Sequence, residues 1–140
     1  MLSDLEKAVE ILQKSGATCV LCREEMVLTS THRGVKPLLD WLRDGTDTWG
    51  SSAADKVVGK GAALLYSLLG VRRVHGCVMS LPALKALRKH GIEATYDTLV
   101  EAIQNRTGTG LCPIETAALA LDDPEDALPV ILQTLQALQK

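Results

Sequence analysis

The chain has 140 residues, 46% of them hydrophobic and 23% charged, with a formal net charge of −2; this is enough apolar material for one core and too much for a disordered chain. That charge leaves no basic field to recruit nucleic acid or an anionic membrane surface, and two Trp, two Tyr and no Phe are too few for base-stacking platforms. No apolar run reaches the roughly 18 residues of a membrane span, and the early acids are unlike a signal peptide, so a single cytoplasmic domain over 1–140 with four reduced cysteines is expected.

In chain order, Ser3 caps a first helix with Leu5, Val9, Ile11 and Leu12 on its apolar side, and Ser15-Gly16 ends it. Thr18–Arg23 and Met26–Thr31 read as strands of a hairpin joined at Glu24-Glu25, without the favoured glycine turn. Pro37 opens a helix over Leu38–Arg43. The organising stretch is Gly50–Gly70. Ser52 and Asp55 have capping-box spacing, Gly70 suits a left-handed stop, and the sequence is almost wholly apolar from Ala62, which predicts one central helix beginning at Ser52.

Val71–Met79 reads as a strand, Ser80-Leu81-Pro82 as the start of a helix running to His90-Gly91, and Ile92–Tyr96 as a short strand. Asp97 or Thr98 then caps a helix over Leu99–Gln104. The loop Asn105–Cys112 enters a helix that has Pro113 at its first position and reaches Leu121. Asp122-Asp123-Pro124-Glu125-Asp126 starts the last helix, where Pro129 is expected to introduce a kink. A hairpin followed by strand–helix–strand units predicts an α/β protein: a three-layer α/β/α sandwich with a mixed sheet.

Polar chemistry gathers at the predicted helix starts, where free amides and the helix dipole favour anions. Asp55 serves there as a cap, or as a carboxylate acting as acid, base or ribose ligand. Lys56 and Lys60 reach solvent or an anion. Gly59 and Gly61 each cost about 1 kcal/mol in a helix interior, which signals close approach of another backbone, as in tight helix packing, or of a ligand. The loop holding Gly108 and Gly110 offers amides to an anion, although it matches neither a P-loop nor a dinucleotide fingerprint. Cys112 is either a small residue at a cap position or a nucleophile with a lowered pKa.

Cys19 and Cys22 lie three apart on a predicted strand, so their thiols point to opposite faces, as packing groups do. His90 suits a helix C-terminus, and His75 is either a core histidine or a site residue. No dense ligand cluster appears, so neither a metal nor another cofactor is expected.

The runs A-A-D-K-V-V-G-K-G-A-A-L-L at Ala53–Leu65 and N-R-T-G-T-G-L-C-P-I-E at Asn105–Glu115, with G-V-K-P-L-L from Gly34 and the segment Val74–Gly91, resemble a prokaryotic family of unknown function. The resemblance covers nearly the whole chain and implies a cytidine-deaminase-like fold. Zinc deaminases carry a His- or Cys-Ala-Glu at the start of the central helix and a Pro-Cys-x-x-Cys at the next. Here the first place reads Ala53-Ala54-Asp55 and the second Ser80-Leu81-Pro82-Ala83-Leu84, with Cys77 the one plausible ligand nearby. The resemblance therefore implies the place of a pocket, at Asp55 and Ser80, and not the deaminase chemistry.

These readings converge on a nucleotide-type ligand, an adenosine phosphate or ADP-ribose-like molecule, at the helix starts. Lys36, Lys60 and Arg106 would serve phosphates, with Ser52, Ser80, Asn105, Gly108, Thr109, Gly110 and Glu115 around the ligand and Asp55 and Cys112 as catalytic candidates. Whether a reaction is catalysed stays open. The alternatives are a cysteine-dependent enzyme built on Cys112, assisted by Glu115, Asp55 or His75, and a non-catalytic oligomer. The base rate for oligomers favours a symmetric homodimer.

Overall fold

The computed structural model describes residues 2–138 apart from Arg106, Thr107 and Thr109. Helix α1 (Asp4–Lys14) starts with a complete capping box: Ser3 Oγ accepts the Glu6 amide and Glu6 accepts the Ser3 amide, each at 3.1 Å. Strands β1 (Cys19–Arg23) and β2 (Met26–Ser30) form the expected antiparallel hairpin. Its turn lacks glycine, so Glu24 itself takes the left-handed φ of 54°. Helix α1 holds that turn from outside, since Asp4 Oδ1 accepts the Glu24 amide at 2.9 Å and Lys7 Nζ donates to its carbonyl at 3.3 Å. Helix α2 (Lys36–Asp44) has Pro37 in its first turn and a left-handed Gly45 at its end.

The predicted helix from Ser52 to Gly70 is two elements. Ser52–Val58 is strand β3, and helix α3 begins only at Lys60 and ends at Leu68. Gly70 does provide the left-handed exit, at φ 71°. Strand β3 is the centre of the sheet, and its first four residues, Ser52, Ala53, Ala54 and Asp55, are all buried. Small side chains suit this position because helices press on both faces: Ala53 packs with α3, while Ala54 packs with Ala8 and Leu12 of α1. Tertiary burial here overrides the weak strand preference of Ala and Asp.

Strand β4 (Arg73–Ser80), helix α4 (Leu81–Lys89) and strand β5 (Glu93–Val100) follow, then α5 (Pro113–Ala118) and α6 (Pro124–Leu138), which contains Pro129. The predicted helix over Leu99–Gln104 is absent: Asp97 and Thr98 lie inside β5, which runs on to Val100. The five-stranded sheet has the order β2-β1-β3-β4-β5, with β1 antiparallel to both neighbours and β3, β4 and β5 mutually parallel. Helix α1 covers one face, and α2, α3, α4 and α6 enclose the larger core on the other. This is the mixed-sheet α/β arrangement that the sequence predicts, reached with one more strand. Among the described residues no helix is long and apolar enough to cross a membrane.

Candidate functional site

Two parallel strands, β3 and β4, each feed directly into a helix, so α3 and α4 begin side by side beyond the carboxyl ends of the strands, where open α/β sheets place their crevices. Helix α4 caps itself, with Ser80 Oγ accepting the Ala83 amide at 3.1 Å. Helix α3 cannot, because its cap residue is Gly59. The missing acceptor arrives from 55 residues away: Glu115 Oε2 accepts the Lys60 amide at 2.6 Å, and its Oε1 accepts the Ser80 hydroxyl at 3.1 Å. One carboxylate thus ties together the starts of both helices.

Glu115 is 2% exposed. Burial raises its pKa, against the lowering effect of hydrogen bonds from the Lys60 amide and Ser80. The two glycines that looked costly in a helix interior explain themselves here. A Cβ on Gly59 would collide with Glu115 Oε2, and one on Gly61 would come within 2.8 Å of Ile114 Cγ2. They admit helix α5 against the first turn of α3.

Beside this junction lies a cavity of about 390 Å³ between α3, α4 and the α5–α6 connection. Its basic side chains are Lys60, Lys85, Lys89 and His90, its acids are Glu101 and Asp122, and Leu64 and Leu81 supply apolar wall. Lys60 Nζ donates to the Leu119 carbonyl at 2.7 Å. Lys89 Nζ stands 3.5 Å from Asp122 Oδ1, and His90 Nε2 donates to the Asp122 carbonyl at 3.1 Å. Lys85 has no hydrogen bond or ion pair among the described residues. The arrangement suits an anion joined to a flat or apolar group. Lys85, Lys89 and His90 carry no distinctive sequence signal, because cations on a helix face ordinarily just meet water. The one available clue was that Lys85 and Lys89 are four apart and share a face.

Asp55 is not at a helix mouth. Register pairs it with Cys19 of β1, and α3 lays Tyr66 over the pair. Tyr66 Oη donates to Asp55 Oδ2 at 2.6 Å and lies 3.1 Å from Cys19 Sγ. No cation faces this cluster among the described residues, so burial pushes the Asp55 carboxyl up to about 7, with hydrogen bonds from Tyr66 and the Val57 amide opposing. Burial, followed by the Asp55 charge, raises the Cys19 and Tyr66 pKa values well above their usual ranges. Asp55 is a core carboxyl and not a capping residue.

The remaining sequence candidates scatter. Ser52 is buried in β3 between Cys22 and Arg73. Lys36 pairs with Asp40 at 3.1 Å and lines a separate groove against α6. Lys56 is exposed on β3, whereas Lys60 opens α3. The Asn105 amide donates to the Gly110 carbonyl at 2.8 Å and the Gly108 amide to the Asn105 carbonyl at 3.1 Å, so these loop amides are spent on one another. Arg106 and Thr109 lie outside the described residues. Cys112 is half-buried before α5, without a side-chain cap. The groups proposed to assist it are placed elsewhere: Glu115 at the helix starts, Asp55 on Tyr66, and His75 on β4 with Nδ1 hydrogen-bonded to Thr95 at 2.7 Å. Cys19 and Cys22 are buried in different clusters on opposite faces of the sheet. Of the predicted set, the structure brings together Lys60, Ser80 and Glu115.

Residues 7–135 match the family model of the TM1506 domain of unknown function (DUF1893). A crystal structure of a DUF1893 family protein, TM1506 from Thermotoga maritima, is similar, with a TM-score of 0.84 and 28% sequence identity over 95% of this chain and 91% of that one. No curated protein matches. The family match spans every strand and all the residues that frame the cavity, and the chain belongs to the DUF1893 family.

Proposed function

We propose that this protein is a cytidine-deaminase-like domain that has given up a metal centre for an internal carboxylate, and that it binds a small anion of nucleotide type in the cavity between α3 and α4. The deaminase likeness draws support from the paired β3–α3 and β4–α4 units, whose helices start together. The donor set at those starts does not suit zinc. Gly59-Lys60-Gly61 and Ser80-Leu81-Pro82 provide neither Cys nor His, and Glu115 already accepts the Lys60 amide and the Ser80 hydroxyl. Among the described residues no three His, Cys, Asp or Glu side chains gather where one metal ion could be held. No chemical step through a metal is assigned.

The observation that carries the ligand reading is the cavity, which Lys60, Lys85 and Lys89 line together with Leu64, Leu81 and Pro82. Phosphates would meet the lysines, and a base or ribose would lie on the leucines. The two helix starts themselves are supplied by Glu115 and Ser80, so in this reading the anion lies beside them and not on their amides.

Calorimetry and thermal shift with AMP, ADP, ADP-ribose and inorganic pyrophosphate test this. A ligand at 100 times its Kd stabilises by about 2.7 kcal/mol, a rise of several degrees in a domain of this size. Lys85→Met with Lys89→Met is expected to abolish the shift. Absence of any shift at millimolar concentrations of all four compounds would refute the proposal.

A further inference from the structure

The wall that closes the cavity, residues 119–122, is held by the cavity's own basic side chains. Lys60 Nζ holds the Leu119 carbonyl, Lys89 pairs with the Asp122 carboxylate and His90 holds the Asp122 carbonyl. Helix α5 immediately before this wall has six residues, too few to persist without tertiary contacts. Its docking depends on Glu115 bridging the two helix starts and on Ile114 seated against Gly61. An ammonium carries three donors, and Lys60 spends one of them on Leu119. It can therefore receive an anion while keeping the wall.

The geometry points to a coupled site, in which an anion in the cavity binds and thereby holds α5 and residues 119–122 closed on α3 and α4 through Lys60, Lys89 and His90. This rests on the reading of the cavity as an anion site and adds a regulation to it. Coupling between two equilibria is reciprocal. Whatever loosens α5 must then weaken the ligand, even where it touches no residue of the cavity. Gly59 offers that perturbation, since a methyl there displaces Glu115 and Gly59 is not among the lining residues.

The experiment uses the full chain, with ADP and inorganic pyrophosphate as probes. It combines calorimetry with amide hydrogen exchange read over residues 113–121. In the wild type, saturation with a bound probe is expected to slow exchange in this segment at least about fivefold while the β1–β2 hairpin is unchanged. Gly59→Ala is expected to speed exchange there and to bind the probe at least about fivefold more weakly. Glu115→Ala, which removes both acceptors of the bridge and lies outside the cavity lining, provides the same test should Gly59→Ala fail to fold. A variant with faster α5 exchange and wild-type affinity overturns the coupling, as does wild-type binding with no slowing over 113–121. If neither probe binds the wild type, the anion-site reading fails, and the coupling falls with it.

Discussion

Replacing Asp55 by Asn should stabilise the protein at neutral and alkaline pH and do little in acid. The buried carboxyl is held at about 7 in the folded chain against an ordinary 3.8. A carboxyl whose pKa is raised on folding takes up protons as the chain folds. Its contribution to stability is therefore fully present below about pH 4, is lost as pH rises toward 7, and is flat above. The interval corresponds to roughly 4 kcal/mol, an upper bound because water entry and local relaxation soften the cost of a buried charge. Asn removes the charge and keeps the contacts available: its amide donates to Tyr66 Oη while the Tyr66 hydroxyl turns to Cys19 Sγ, now 3.1 Å away. Urea unfolding of both proteins from about pH 5 to about pH 8 isolates this residue, since the raised Glu115 carboxyl pushes both curves in the same direction. The Asn variant should gain about 2–4 kcal/mol over the wild type above pH 7, roughly 1–2 kcal/mol near pH 5, and nothing only below about pH 4. An Asn variant less stable than the wild type at pH 8, or a difference independent of pH, would show that Asp55 is ionised and compensated by something else.

Tyr66→Phe should cost about 1–3 kcal/mol, more at high pH than at low, because it strips the ionised Asp55 of its hydroxyl donor; a pH-independent loss would contradict this. Ser80→Ala removes both the α4 cap and one of Glu115's two named donors. A loss of about 1–2 kcal/mol with faster proteolysis near α5 is expected, and an unchanged melting temperature would count against the bridge. Glu24→Gly should raise stability by up to about 1 kcal/mol in thermal unfolding, since glycine takes the left-handed turn without strain and the Glu24 bonds to Asp4 and Lys7 are backbone ones. Asp55→Asn should leave ligand affinity unchanged, because Asp55 does not line the cavity, whereas a loss of binding would return it to the site.

Signals carried by neighbouring residues were legible in the sequence. Ser3, Pro37, Ser80 at the start of its helix, and Gly70 all act within a few positions of themselves, and the structure uses each as its place implies. The buried run from Ala62 to Tyr66 also marks α3 as the central helix. The sequence misled where a local pattern and a tertiary demand used the same residues. Ser52-Ala-Ala-Asp has the spacing of a cap and the composition of a helix start, yet those small side chains answer the approach of α1 and α3 to the two faces of the central strand. The segment Asp97–Val100 fails in the same way: it has a cap-like acid, but its backbone pairs with β4.

The start of α3 could not be read locally because its cap is not local. Gly59 is silent as a capping residue, and the acceptor that serves the Lys60 amide belongs to Glu115, in another helix. The sequence did register the other half of this contact, as two glycines whose cost in a helix demanded a close neighbour. Reading Gly59 and Gly61 as seats for an incoming segment, and asking which buried acid that segment carried, would have moved the helix start from Ser52 to Lys60. The same step moves the acid at the crevice from Asp55 to Glu115. Two carboxyls with raised pKa values thereby take separate parts: Asp55 fixes the interior of the α3–sheet contact, and Glu115 joins the starts of α3 and α4. Of the two, Glu115 alone belongs to the proposed coupling between the cavity and α5.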